Sequence, residues 1–370
     1  MYYIFENWST DDYTFLYKCI VGFFILFGTG VLKILQDKRK RFLINDHFLL
    51  LVLVSCLVFI FGTRGKTIGT DTINYYNNYY LTIVNLSTLT DQWHAIQTSF
   101  LFKVVFVITN SIKSYHFFLF VVALITNSAL YFFVRKFTNK GRFGSGLILF
   151  LMLTSSFSML PLQINIIRNG LALAFLMIGL HYILSKQNKF AILFILISFL
   201  FHRTIVIAIL LLIFISFLGK KISIKYYCYL YLFAILLAFL NYGFHSIAFL
   251  KQSTFEDIQT ISTIQEHEYN TGFRLDFVLY NSFFLLLFLK FSKKSNPKNV
   301  FLIKFYILAS IIFFMNFQIP FSDRIGIYSW IVIPLLLFNL INTAYGRTKL
   351  MRQTIVLILF FILNHIILFT

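Results

Sequence analysis

The sequence predicts an all-α, polytopic integral membrane protein, and three observations carry that prediction. Hydrophobic residues make up 59% of the 370-residue chain and charged ones only 12%, about half the charged share of a soluble domain. The apolar stretches run unbroken for about the 20 residues that a helical span needs, instead of alternating in short segments as barrel strands do. Aromatics reach 20%, with 49 Phe and 21 Tyr, which suits lipid-facing helices and their interfacial belts. This composition excludes a soluble enzyme and a disordered tail. It also excludes a nucleic-acid binder, despite a net charge of +19.

The basic residues set the path of the chain. Of the 32 Lys and Arg, 22 fall in short clusters: Lys33 to Arg41, Arg135 to Arg142, Lys186/Lys189, Lys220/Lys221/Lys225, Lys290 to Lys304 and Arg347 to Arg352. The positive-inside rule places these in the cytoplasm and the near-neutral loops outside. About ten spans follow, at 14–34, 46–63, 115–134, 144–161, 167–184, 226–248, 274–291, 300–319, 325–343 and 353–370, with both termini outside. The apolar run 190–218 has Lys189 before it and Lys220 after it. Two helices of about 13 residues reach only about 20 Å each, so this run is expected to be a re-entrant hairpin with its tip at Phe201-His202-Arg203-Thr204. The whole chain, 1–370, is expected to be one transmembrane domain with external loops at 64–113 and 250–272. A second half-helix is expected at 97–112 inside the first loop. The acidic start (Glu6, Asp11, Asp12) predicts no cleaved signal peptide. Cys19, Cys56 and Cys228 have neither disulfide nor zinc spacing.

The charges left outside the clusters carry the functional information. Arg168, Arg274 and Arg324 each fall in the first turn of a span entering from outside, where the helix dipole already favours anions rather than cations. Arg203 lies at the expected hairpin tip, and Arg64 leaves the second span on the same face. Each could snorkel to lipid phosphate or pair locally, Arg274 with Asp276 and Arg324 with Asp323. Taken together, five Arg on one face read as a basin for a doubly charged anion such as a diphosphate, because guanidinium grips phosphate bidentately and keeps its charge. The loop after the second span, Arg64-Gly65-Lys66-Thr67-Ile68-Gly69-Thr70-Asp71-Thr72, looks like a turn capping a helix. Tyr75, Tyr76, Tyr79 and Tyr80 then share one side of that helix. They form either an interfacial belt or a platform for sugar rings, with Asp71 accepting hydroxyl protons. His202 stands apart from His181, His245 and His365 because a charged residue follows it at a helix break, and an imidazole suits a general base near neutrality. Glu266-His267-Glu268 does not form a two-histidine helical metal motif, so no metal site is expected.

Four of these segments resemble the signatures of EpsG-like, Wzy-type polysaccharide polymerases. They are Arg64 through Gly69-Thr70-Asp71-Thr72 with its tyrosines, Ile167-Arg168-Asn169-Gly170-Leu171-Ala172, Phe201-His202-Arg203-Thr204, and Asp323-Arg324-Ile325 followed by Tyr328. Their order and spacing match over about residues 45–340. Asn169 stands where Gln is common in the family, and Arg203 is not a residue the family demands. The resemblance implies a polyprenyl-diphosphate-linked oligosaccharide as substrate at the external face of a bacterial inner membrane. A flippase and a chain-length regulator would be partners, and neither a nucleotide nor a redox cofactor would be needed. Taken with the reading of the charges above, the candidate substrate contacts are Arg64, Arg168, Arg203, Arg274, Arg324, Tyr75, Tyr76, Tyr79 and Tyr328, with His202 or Asp71 as the base. A glycan ligase or another membrane glycosyltransferase would use the same arginines. A lipid-linked oligosaccharide flippase should instead place charges along a central pathway from both faces.

Overall fold

The structure, a computed structural model, describes residues 5–37, 46–138, 144–244, 271–292, 296–342 and 348–367. Among the described residues it is helical, with no β-strand and one isolated bridge between Phe5 and Arg64. Most of the expected external loop 250–272 lies outside the described residues, including Glu266-His267-Glu268. Among the described residues, six helices are long and apolar enough to cross a membrane: Thr10–Ile34, Tyr115–Phe137, Ile167–Leu184, Pro297–Phe314, Asp323–Ile341 and Leu350–Ile367. This is a helical membrane protein. The expected spans 46–63, 144–161 and 226–248 correspond to shorter apolar helices, His47–Gly62, Ser145–Thr154 and Ile224–Phe239, and 274–291 to Leu275–Phe291, so four of the ten expected crossings fall on shorter helices. The run 144–161 breaks because its hydroxyls turn back on the chain. Ser155 Oγ donates to Leu151 O at 2.6 Å, and Ser156 and Ser158 bond to each other at 3.0 Å. Such side-chain bonds compete with helix propagation.

The chain forms two compact units, residues 1–209 with 344–370, and residues 210–343. The first contains α1 (Thr10–Asp37), α2 (Asp46–Gly62), α3 (Thr70–Tyr75), α4 (Leu89–Ala95), α5 (Phe100–Asn110), α6 (Tyr115–Phe137), α7 (Ser145–Thr154), α8 (Met159–Ile164), α9 (Ile167–Leu184) and α10 (Asn188–Phe201). The C-terminal helix Thr348–Ile362 belongs to it as well. A π-helical turn, Tyr76–Tyr80, extends α3, and α5 is the expected half-helix of the first loop.

α9 and α10 lie antiparallel, and side-chain contacts fix their register. Tyr182 stacks on Phe190 and Phe194, Phe175 stacks on Phe194 and Phe201, and Ser198 Oγ donates to Ala172 O at 2.6 Å. The small side of Gly179 admits Ile195. This register runs α10 back along α9 until its last turn is level with the first turn of α9. There the helix stops. His202 is extended (φ −157°, ψ 121°), and a 3-10 turn, Arg203–Ile205, follows. The expected tip at Phe201–Thr204 is therefore a real helix break.

In the second unit, α11 (Ile224–Phe239), α12 (Leu275–Phe291), α13 (Pro297–Phe314), α14 (Asp323–Trp330) and α15 (Val332–Ile341) pack around a buried polar centre. Asn281 Nδ2 donates to Ser310 Oγ at 3.1 Å, Trp330 Nε1 donates to Asn281 Oδ1 at 3.0 Å, and Tyr306 Oη donates to Asn281 O at 2.7 Å. Lys304, grouped by sequence with the cytoplasmic cluster, is instead 4% exposed. Its ammonium donates to the carbonyls of Gly219, Lys220 and Ile222 at 2.9, 3.2 and 2.6 Å, capping the π-helical turn Ile215–Gly219.

Candidate functional site

The site is built where α3, α8, α9 and α10 of the first unit meet. Gly69 begins it, because its backbone has φ +91° and runs so close to α8 that a side chain would collide with Ile164 C at 2.8 Å. Only glycine takes that conformation freely. The approach lets Thr70 N donate to Asn165 Oδ1 at 3.2 Å and Thr72 Oγ1 donate to Ile164 O at 3.2 Å. Arg64 braces the same turn from inside. It is 1% exposed, its Nε donates to Thr72 Oγ1 at 3.2 Å, and its Nη1 donates to Phe61 O. Burial pulls the Arg64 guanidinium down from its ordinary pKa, against the opposing pull of Tyr13, Tyr115 and Asp71.

α8 presents its opposite side to α9. Gly170 comes so near that a methyl there would overlap Leu162 O and sit 3.0 Å from Leu162 C. One short helix thus holds the loop of Asp71 and the first turn of α9 together. The Asp71 carboxylate does not cap its own helix, since the N-cap of α3 is Gly69, with no side-chain cap. It reaches across the fold and accepts from Ile167 N at 3.2 Å, capping α9. The same oxygen accepts from Tyr75 Oη at 2.9 Å. Tyr75 Oη in turn accepts from Arg168 Nε at 2.9 Å, and Arg168 Nη1 donates to Thr98 Oγ1 at 3.0 Å. Burial first, and then the Asp71 carboxylate, push the Tyr75 phenol well above its ordinary pKa, so it stays a neutral hydroxyl that accepts and donates at once. A negative charge at the start of α9 offsets both the helix dipole and the arginine placed there.

Arg168 opens onto a cavity of about 640 Å³ lined by His94, Ile96, Gln97, Thr98, Ser99, Lys103, Arg168, His202 and Arg203. The lining holds three permanent cations and two imidazoles, and no carboxylate. One wall is the end of α4 and the start of α5, where the Lys103 ammonium lies 4.5 Å over the Trp93 ring. The α10 break supplies His202 and Arg203. Sequence reasoning missed His94, Gln97, Thr98, Ser99 and Lys103. The available signal was Lys103, a basic residue on the half-helix expected at 97–112.

Of the candidates read from sequence, the first unit brings Arg168, His202 and Arg203 together on this cavity, with Asp71 and Tyr75 behind Arg168. Arg64 and Tyr76 are not among its lining residues. The tyrosines stack on each other across the π-helical turn, Tyr75 on Tyr79 at 5.4 Å and Tyr76 on Tyr80 at 5.5 Å. Tyr79 Oη donates to Gln97 O at 3.3 Å, and the Lys66 ammonium covers Tyr76 at 4.9 Å. Tyr75 is 4% exposed, so its ring is packed inside the protein. In the second unit, Arg274 forks onto Asp276 at 2.7 and 3.1 Å, the partner expected from sequence. Arg324 is exposed and lies 4.5 Å over the Phe321 ring, and the charges of both arginines reach Asp323. Tyr328 is buried at 2% exposure.

Compared with protein-family models, residues 47–370 match the EpsG family. No curated protein and no solved structure matches the chain.

Proposed function

The chain belongs to the EpsG family, and from that membership and the cavity we propose that it is a polysaccharide polymerase. It joins polyprenyl-diphosphate-linked oligosaccharide repeat units at the external face of a bacterial inner membrane and releases polyprenyl diphosphate. One observation carries the reading: a single cavity collects Arg168, Arg203, Lys103 and His202 from three separate stretches of chain, with no carboxylate in its lining. A diphosphate is the natural occupant of such a cavity, because guanidinium and ammonium donors stabilise the charge that grows on it as it departs. In the reaction, a sugar hydroxyl of one lipid-linked unit attacks the anomeric carbon of the chain held on diphosphate. The new glycosidic C–O bond forms as the anomeric C–O bond to phosphate breaks, its electron pair leaving with the diphosphate. His202 takes the hydroxyl proton. The bond energy is already present in the diphosphate linkage, so the arginines and the lysine supply electrostatic stabilisation without a metal.

The membrane path belongs to the same proposal. The cavity opens outside, the chain makes about ten crossings, and 190–218 enters and leaves on the cytoplasmic side. Single cysteines at Ser185 and Ser223, introduced after Cys19, Cys56 and Cys228 are replaced, should both label from the cytoplasm. Labelling of either from outside only would overturn this path. The activity test is reconstitution of the purified protein with lipid-linked repeat units, read as a glycan ladder. Arg168→Ala should abolish long chains while leaving membrane insertion normal. Normal long chains from Arg168→Ala would refute the diphosphate reading. Transfer to an unrelated acceptor without any ladder would make the protein a ligase.

A further inference from the structure

We infer that Tyr75 is a positioning residue that sets the guanidinium of Arg168 for the diphosphate, with Asp71 as its anchor, rather than a platform for sugar rings. The inference rests on the diphosphate reading of the cavity and specifies how that site is held. Three hydrogen bonds lead from one fixed point to the arginine. Asp71 is pinned at the start of α9 by Ile167 N at 3.2 Å, it holds Tyr75 Oη at 2.9 Å, and that oxygen accepts from Arg168 Nε at 2.9 Å. Thr98 fixes the guanidinium from the side through Nη1 at 3.0 Å. The Tyr75 ring lies under the guanidinium, 5.6 Å from ring centroid to Cζ, with Tyr79 stacked on the ring and Phe102 beside it. The ring therefore has protein on its faces and is 4% exposed, which leaves no room for a sugar to stack. With Nε and one Nη1 hydrogen engaged, Arg168 keeps one Nη1 and two Nη2 hydrogens for an anion. Paired guanidinium donors are what bidentate recognition of a phosphate uses, and their direction is decided by Tyr75 and Thr98.

The two roles for Tyr75 separate on a single atom. Tyr75→Phe keeps the ring and removes the hydroxyl, so a stacking platform would be untouched and the positioning chain would be cut. The experiment measures binding of farnesyl diphosphate to the purified full-length protein by calorimetry, alongside kcat and KM for polymerisation. Tyr75→Phe should weaken farnesyl diphosphate binding about tenfold or more, consistent with the strength of hydrogen bonds to charged groups. Asp71→Asn should weaken it similarly. In an Arg168→Lys background, adding Tyr75→Phe should change binding less than twofold, because coupled residues do not add. A general loss of fold would instead lower binding by the same factor in both backgrounds. The inference is overturned if Tyr75→Phe binds like the parent protein, or if the two substitutions multiply in full. If Arg168→Lys weakens binding and Tyr75→Phe does not, only the positioning role fails. If neither Arg168→Lys nor Tyr75→Phe affects binding or polymerisation, the diphosphate reading itself fails, and the positioning role with it.

Discussion

Gly170→Ala is a one-methyl perturbation whose consequences can be worked through from the geometry. The added carbon would sit 3.0 Å from Leu162 C and closer still to its oxygen, whereas carbon atoms rest at about 3.5–4.0 Å. Because the obstacle is backbone, α8 and the first turn of α9 must separate by on the order of 1 Å. That movement carries Arg168 away from its partners, and a 2.9 Å bond to Tyr75 stretched by about 1 Å is no longer a hydrogen bond. Overpacking of this kind destabilises by about 1–3 kcal/mol, partly offset by about 1 kcal/mol of improved helix propensity. Misplacing a reacting group by about 1 Å can reduce the rate by about 10²-fold. Gly170→Ala should therefore lower stability by no more than about 2 kcal/mol and lower polymerisation far more. Thermal unfolding in detergent and the glycan ladder from reconstituted protein measure the two effects separately. Gly30→Ala is the control, since nothing lies within 4 Å of the carbon it would add, and it should leave activity unchanged. Parental activity and melting temperature in Gly170→Ala would refute the strut role assigned to α8.

Other expected outcomes follow from the same contacts. General-base help is typically about 10²–10⁴-fold, so His202→Ala should leave traces of polymer, and His202→Gln should be nearly as damaging in the same ladder assay. Lys103→Ala should weaken farnesyl diphosphate binding without altering melting temperature, because its ammonium lines the cavity. Lys304→Met should lower the unfolding free energy by about 2–6 kcal/mol, since the carbonyls of Lys220 and Ile222 lose their donor while Gly219 O keeps Tyr227 Oη. Arg274→Ala should leave the melting temperature unchanged, because its pair with Asp276 is solvent-accessible and such pairs contribute roughly 0–1 kcal/mol.

What the sequence revealed and concealed follows from the range of the interactions. The helix break at His202 was legible because the polar pair His202-Arg203 interrupts a long apolar run. The half-helix at 97–112 and five of the six long spans were legible from hydropathy to within a few residues, and 167–184 coincides with Ile167–Leu184. The cap by Asp71 was read as local and is not. Its partner Ile167 N is 96 residues away, and no local pattern contains that information. The tyrosine row was legible as a shared face, but the π-helical widening at Tyr76–Tyr80 and the self-stacking it permits were not. Ser155, Ser156 and Ser158 were hidden because hydropathy averages over them, although their hydroxyls end α7. Arg64 had the right neighbourhood and the wrong orientation, since charge on a loop gives no sign of whether a side chain faces inward.

The position of Asp71 bears on which group takes the proton in the proposed reaction. A general base must accept a proton in every turnover. If Asp71 did so, its carboxyl would become neutral while Ile167 N and Tyr75 Oη still depend on it, and both bonds would lose their charge assistance and weaken. Tyr75 would then release Arg168 Nε at the step when charge on the departing diphosphate is growing. A base coupled in this way would loosen the clamp at the moment the clamp is needed. His202 lines the cavity from the α10 break, and the three bonds of the Asp71–Tyr75–Arg168 chain run through other residues. Protonation of His202 also adds a positive charge to a cavity that must hold an anion. The expected signature is a difference in kind between two variants. His202→Gln should lower kcat and leave farnesyl diphosphate binding within a few-fold of the parent, whereas Asp71→Asn should weaken binding and rate together. Equal loss of binding in both variants would place His202 among the anion contacts and leave the base unassigned. Loss of kcat alone in Asp71→Asn, with binding intact, would return the base to Asp71.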